Sequence, residues 1–104
     1  MFALKFDKTM EEVKQALDQQ EDVVIVDVRE KEEYEEGHLP HAVLVPLSIL
    51  DTEATKLSKD QTLYVYCRSG QRSRTAVKKL KAMGYEHVYN VGGMIHWQYE
   101  LESR

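Results

Sequence analysis

Three short runs constrain this chain most: VVIVDV (23–28), AVLVP (42–46) and TLYVYC (62–67). They set β-branched and other apolar residues side by side instead of alternating them with polar ones. A strand that reads this way is buried on both faces, as inside a parallel sheet covered by helices. The segments between them read as helices. Thr9 and Glu12 have capping-box spacing, and Met10, Val13, Ala16 and Leu17 share one helical face behind them. KEEYEEG (31–37) is a short acidic helix stopped by Gly37, and SILDTEATKL supplies weak helical turns between Leu47 and Leu57. Ser73 to Met83 is the clearest helix, with Ala76, Val77, Leu80 and Met83 inward, Lys78, Lys79 and Lys81 mostly outward, and Gly84 at its end. FALKF (2–6) and YEHVYNV (85–91) complete the strands, Gly92-Gly93 reads as a turn, and MIHWQYEL (94–101) as a final helix. This alternation predicts an α/β fold: a mostly parallel five-stranded sheet with helices on both faces. The 104 residues suit one domain, 1–104, with no internal repeat and no dividing linker.

Charge narrows the function. A net charge of −4 disfavours nucleic acid as a partner, since that binding needs clustered Lys and Arg. A local basic site survives at Arg68, Arg72 and Arg74. MFALKFDKTMEE is charged by Lys5, before a signal-type apolar stretch can form. VVIV is the longest clean apolar run, far short of the roughly 20 residues of a spanning helix. The expectation is a cytoplasmic, monomeric protein with no membrane partner. The single cysteine, Cys67, forms no internal disulfide and has no resolving partner in its own chain.

Cys67 ends an apolar strand, and a polar loop with one glycine joins it to the helix from Ser73. In open α/β sheets, ligands bind at the carboxyl ends of strands near helix N-termini. Backbone N–H groups of Arg68, Ser69, Gly70, Gln71, Arg72 and Ser73 are therefore placed to converge near the sulfur as an anion-binding nest. Gly70 permits the tight loop, and the helix N-terminus with Arg68 and Arg72 favours thiolate over thiol. The alternative, a small apolar filler, explains no flanking arginines.

Cysteine phosphatases share this strand–loop–helix layout, but place five residues between nucleophile and arginine. Counting from Cys67, that arginine would stand at 73, where the chain has Ser; Arg72 is one residue early and Arg74 one late. The spacing argues against phosphate chemistry. CRSGQRS instead resembles the six-residue active-site loop of rhodanese-type sulfurtransferases. VDVREKEEYEEGHLPHAVLVP (26–46) and VGGMIHW (91–97) resemble two further segments of that family, in the family's order. His41 stands where the family commonly has glycine.

The resemblance implies a single rhodanese-like domain and a two-step transfer. Cys67 takes the outer sulfur of thiosulfate or a similar small anionic donor, holds it as a persulfide, and yields it to cyanide, a thiol or a protein. Residues 68–73 then bind substrate, with Arg68 and Arg72 near the donor's sulfonate, and no metal or organic cofactor is required. A persulfide carrier loaded by a protein donor such as a cysteine desulfurase is the alternative. Asp27, Arg29 and His38 fall in segments that brace the family's fold, and an Asp–Arg pair at a strand end is usually structural. His38, His41 and Cys67 make a poor metal set, because Pro40 breaks the helix that would align the histidines and a fourth ligand is missing. Met94, Trp97 and Tyr99 are expected as core or pocket wall, with Met94 and Ile95 at the mouth by resemblance. The basic stretch from Arg72 to Lys81 suits steering of anionic donors or an acidic partner.

Overall fold

The computed structural model describes residues 5–103. In chain order its elements are α1 (Met10–Asp18), β1 (Val23–Asp27), α2 (Lys31–Glu36), β2 (Val43–Leu44), α3 (Leu50–Glu53), β3 (Thr62–Cys67), α4 (Gln71–Ala82) and β4 (His87–Gly93). Single 3-10 turns at Leu47–Ile49, Ala54–Lys56 and Met94–His96 join them. The strands pair in the order β2-β1-β3-β4, every pair parallel.

The sheet is covered on both faces, and the consecutive apolar residues divide between them by strand alternation. Val26, Leu63, Val65 and Cys67 face one core layer with Leu50, Ala54, Ala76, Val77 and Leu80 from α3, the turn after it, and α4. Ile25, Tyr64 and Tyr66 face the other layer with Met10, Val13 and Ala16 of α1 and with Trp97. The predicted capping box starts α1: Glu12 N–H donates to Thr9 Oγ1 (3.1 Å) and Thr9 N–H to Glu12 Oε1 (2.9 Å).

Several expectations need correction. Among the described residues the sheet has four strands, not five. The fifth, expected at 2–6, falls mostly outside the described residues, and Lys5 and Phe6 are not in a strand. Gly92 and Gly93 do not turn: they extend β4 and pair with Tyr66 and Cys67 after a bulge at Val65/Tyr66. The helix expected over 94–101 is only the turn Met94–His96. Trp97 must bury itself in the α1 layer, and Glu102 then pairs in antiparallel fashion with His38 (2.8 and 2.9 Å), which demands extended chain. α4 begins at Gln71, two residues before its expected start. His41 adopts a φ of 65°, the left-handed conformation that glycine takes without strain.

Strand order places the site. From β1 the chain moves to one neighbour, β2, then crosses back to the other, β3, so direction reverses between β1 and β3. Such a switch point leaves a crevice at the strands' carboxyl ends. The segments following β1 and β3, carrying Arg29 and Arg68, both line a cleft there.

Candidate active site

Cys67 is the last residue of β3 and is 1% exposed. Gly70, at φ 103°, turns the chain by a left-handed conformation so that α4 starts immediately beyond it. Gly70 N–H then donates to Cys67 Sγ at 3.0 Å and Ser73 N–H at 3.3 Å, and the Ser73 hydroxyl accepts from the thiol at 3.5 Å. Burial pushes the thiol's pKa up, but hydrogen bonds from the N–H groups of Ser73, Gly70 and Ser69 outweigh it, so the net direction is down. The N-terminus of the twelve-residue α4 points the same way.

The loop is shaped from below by β4. A Cβ on Gly93 would stand 2.4 Å from the Arg68 carbonyl oxygen and 2.7 Å from Ser69 Cα, so only glycine lets strand and loop touch. The buried Asn90 carboxamide does the rest. Its Oδ1 accepts from the Ser73 hydroxyl (2.7 Å) and Gly92 N–H (3.0 Å), and its Nδ2 donates to the Gly70 carbonyl (3.3 Å). Both residues escaped sequence reasoning. Asn90 lies on the strand, two residues before the expected turn, and a polar residue between Tyr89 and Val91 was the available signal.

The two flanking arginines part company. Arg68 is exposed and lines the cleft. Arg72 turns to α2, giving Nη1 to Glu33 Oε1 (2.7 Å) and Nη2 to Glu33 Oε2 (2.9 Å). That fork lowers the Glu33 pKa to about 2, and Glu33 raises that of Arg72 in return. Ser69 and Gln71 are exposed on the loop and its following turn, and Ser73 is fully buried.

Below the loop, Asp27 and Arg29 form a buried bidentate pair. Arg29 Nη2 donates to Asp27 Oδ2 (2.7 Å) and to the Gly37 carbonyl (2.7 Å), while Tyr66 donates its hydroxyl to Asp27 Oδ2 (2.5 Å). Burial and the Asp27 charge hold the Tyr66 phenol protonated, its pKa raised well above the usual value. This network ties β1, β3 and the start of the chain after α2 together. His38 is buried beside it, its Nδ1 2.7 Å from the Tyr34 carbonyl.

The cleft outside the loop measures about 350 Å³ and is lined by Arg29, Glu33, Glu36, Gly37, Arg68, Met94, Ile95 and Leu101. Met94 and Ile95 line this cleft together with Arg68, whereas Trp97 and Tyr99 border a different cavity of about 410 Å³ that contains no loop residue. No helix among the described residues is long and apolar enough to cross a membrane.

A parallel α/β sheet whose strand-end cysteine receives loop amides at a helix N-terminus defines a class of proteins that do thiolate chemistry on bound anions. A family model for the rhodanese-like domain matches residues 9–100, and the chain belongs to that family. A sulfurtransferase of Allochromatium vinosum is 38% identical, over 84% of this chain and 82% of that protein. The putative sulfur carrier protein YrkF of Bacillus subtilis is 39% identical over 90% of this chain, which spans only 51% of that protein. Among solved structures, a rhodanese-like domain protein from Staphylococcus aureus superimposes with a TM-score of 0.84 at 36% identity, covering 93% of this chain and 96% of that one. Relatives are thus named both as sulfurtransferases and as sulfur carriers, and rhodanese-type sulfur transfer is their common ground.

Proposed function

We propose that this protein moves a sulfane sulfur from thiosulfate or a related donor to a thiophilic acceptor through a Cys67 persulfide. The observation that carries this is the sulfur itself, held by Gly70 and Ser73 N–H groups at the head of α4 with its pKa lowered. The Cys67 thiolate attacks the outer sulfur of the donor. The donor's S–S bond breaks, and sulfite leaves with the bonding pair. The new Cys67 persulfide carries its negative charge among the loop amides of residues 68–73, which act as an oxyanion-hole-type site for sulfur. Arg68 attracts the donor's anionic group. An acceptor, whether cyanide, a thiol or a protein, then attacks the outer sulfur, and the Cys67 thiolate departs. Separating the transfer around a covalent intermediate gives ping-pong kinetics.

Incubation with thiosulfate tests this directly. The expected result is sulfite release together with an intact-mass gain of one sulfur atom, both abolished in Cys67→Ser. Wild-type protein that releases no sulfite and gains no sulfur defeats the thiosulfate reading. The resemblance to YrkF supports a second reading, a carrier loaded from a protein persulfide. It predicts efficient loading from a cysteine desulfurase and poor loading from thiosulfate.

A further inference from the structure

The charges around the cleft are not what the arginine-rich loop suggests. Arg72 is close enough to Cys67 for the thiolate's field to act on it, yet both its terminal nitrogens are engaged by Glu33. Arg29, also at the cleft, is bonded to Asp27 and to the Gly37 carbonyl. That leaves Arg68, which makes no ion pair among the described residues, in a cleft that it shares with the equally unpaired Glu36. The same cleft has an apolar part of its wall, with Ile95 59% and Leu101 46% exposed beside Met94. Such a mouth offers a doubly charged anion little net attraction, and it offers an organic group a surface to cover.

We infer that Glu33 is a specificity-determining residue: by neutralising Arg72 it biases the site toward an organic persulfide with a single negative charge and away from dianionic thiosulfate. This rests on the Cys67 persulfide proposed above and names the donor class for it. The chemistry balances without a further reactant. The persulfide binds as the anion R–S–S⁻ and takes a proton from solvent; the Cys67 thiolate then attacks the outer sulfur of R–S–SH, the S–S bond breaks, and R–S⁻ leaves with the bonding pair. The hydrogen stays on the transferred sulfur as Cys67–S–SH and is then lost to solvent.

Glu33→Gln isolates the charge. Gln is an accepted partner in a capping box at this third helical position, where Glu33 receives Glu30 N–H at 3.0 Å, and it can still hydrogen-bond Arg72. Sulfur uptake is followed by intact mass against concentration, with thiosulfate and with N-acetylcysteamine persulfide, whose organic group is uncharged. In wild type the persulfide is the better donor by kcat/KM. In Glu33→Gln, KM for thiosulfate falls roughly three- to ten-fold, and for the persulfide by about the square root of that factor, because the donor carries half the charge. Glu33→Gln with Arg72→Gln removes both charges and returns the preference toward wild type.

A wild-type preference for thiosulfate, or a Glu33→Gln protein that still takes up sulfur with its donor preference unchanged, overturns the role of Glu33 and leaves the persulfide standing. Absence of sulfur uptake from either donor overturns both. Salt provides a check that needs no variant: thiosulfate uptake by wild type is only weakly dependent on ionic strength, and a steep dependence overturns the inference.

Discussion

The Ser73 hydroxyl donates to Asn90 Oδ1 across 2.7 Å, joining the first turn of α4 to the middle of β4. A hydroxyl has one proton to give. With that proton on Asn90, Ser73 meets the Cys67 thiol as an acceptor at 3.5 Å, and the N–H groups of Gly70 and Ser73 are left as the close donors to the sulfur. The same carboxamide holds the Gly70 carbonyl, so the loop's midpoint and its end are both set from a neighbouring strand.

Asn90→Ala should therefore damage the loop more than the fold. It strands the Ser73 hydroxyl and the Gly92 N–H, at a cost of about 1–3 kcal/mol for a buried group left unpaired. Urea unfolding measures that loss. Sulfur uptake at Cys67, followed by intact mass, is expected to fall by more than the lost stability explains.

Gly93→Ala tests the contact between strand and loop. The added methyl meets backbone atoms of Arg68 and Ser69, which cannot swing aside as a side-chain tip would. Overpacking of this kind costs roughly 1–3 kcal/mol. Displacing the loop also pulls its amides off the sulfur, so the Cys67 pKa should climb back toward that of a free thiol.

The pH dependence of alkylation reads that pKa directly. Burial alone would raise it, but Ser73, Gly70 and Ser69 bring the net shift down. With iodoacetamide, the folded protein should show its inflection at lower pH than the same protein unfolded in urea. An inflection at or above the unfolded value would mean that burial wins.

Acid unfolding reports on the loop's link to α2. Glu33 titrates at about 2 in the fold against an ordinary 4.5, so its ionised form is favoured by folding. The stability this contributes is complete above pH 4.5 and is lost as pH falls toward 2. Between those limits wild type should lose stability more steeply than Glu33→Gln, as followed by denaturant titration at each pH.

Much of the architecture is legible in the residue order because it follows from local chemistry. TLYVYC becomes β3 at its expected limits, Thr9 and Glu12 cap α1, and the Ala76, Val77 and Leu80 face of α4 is buried where periodicity placed it. CRSGQRS likewise announces a cysteine at a strand end before a helix, since a glycine and a helix start are properties of adjacent residues. The errors fall where distant segments compete for one stretch of chain. Two glycines read locally as a turn, yet pairing of Gly92 with Tyr66 and Gly93 with Cys67 keeps them in β4, with Gly92 at a φ of 96°. MIHWQYEL has a helical face, yet Trp97 goes into the core and Glu102 to His38.

The sequence by itself determined the α/β class and the placing of its one cysteine at a strand end, before a tight loop and a helix. Tertiary structure alone decided which arginine lines the cleft, because Arg72 is engaged by Glu33 from another helix while Arg68 is not. It also decided that Asn90 and Gly93 shape the sulfur site, through one hydrogen-bonded carboxamide and one missing methyl group. Spacing along the chain encodes what neighbours can do together, whereas charge compensation and close approach belong to pairs that only folding brings into contact.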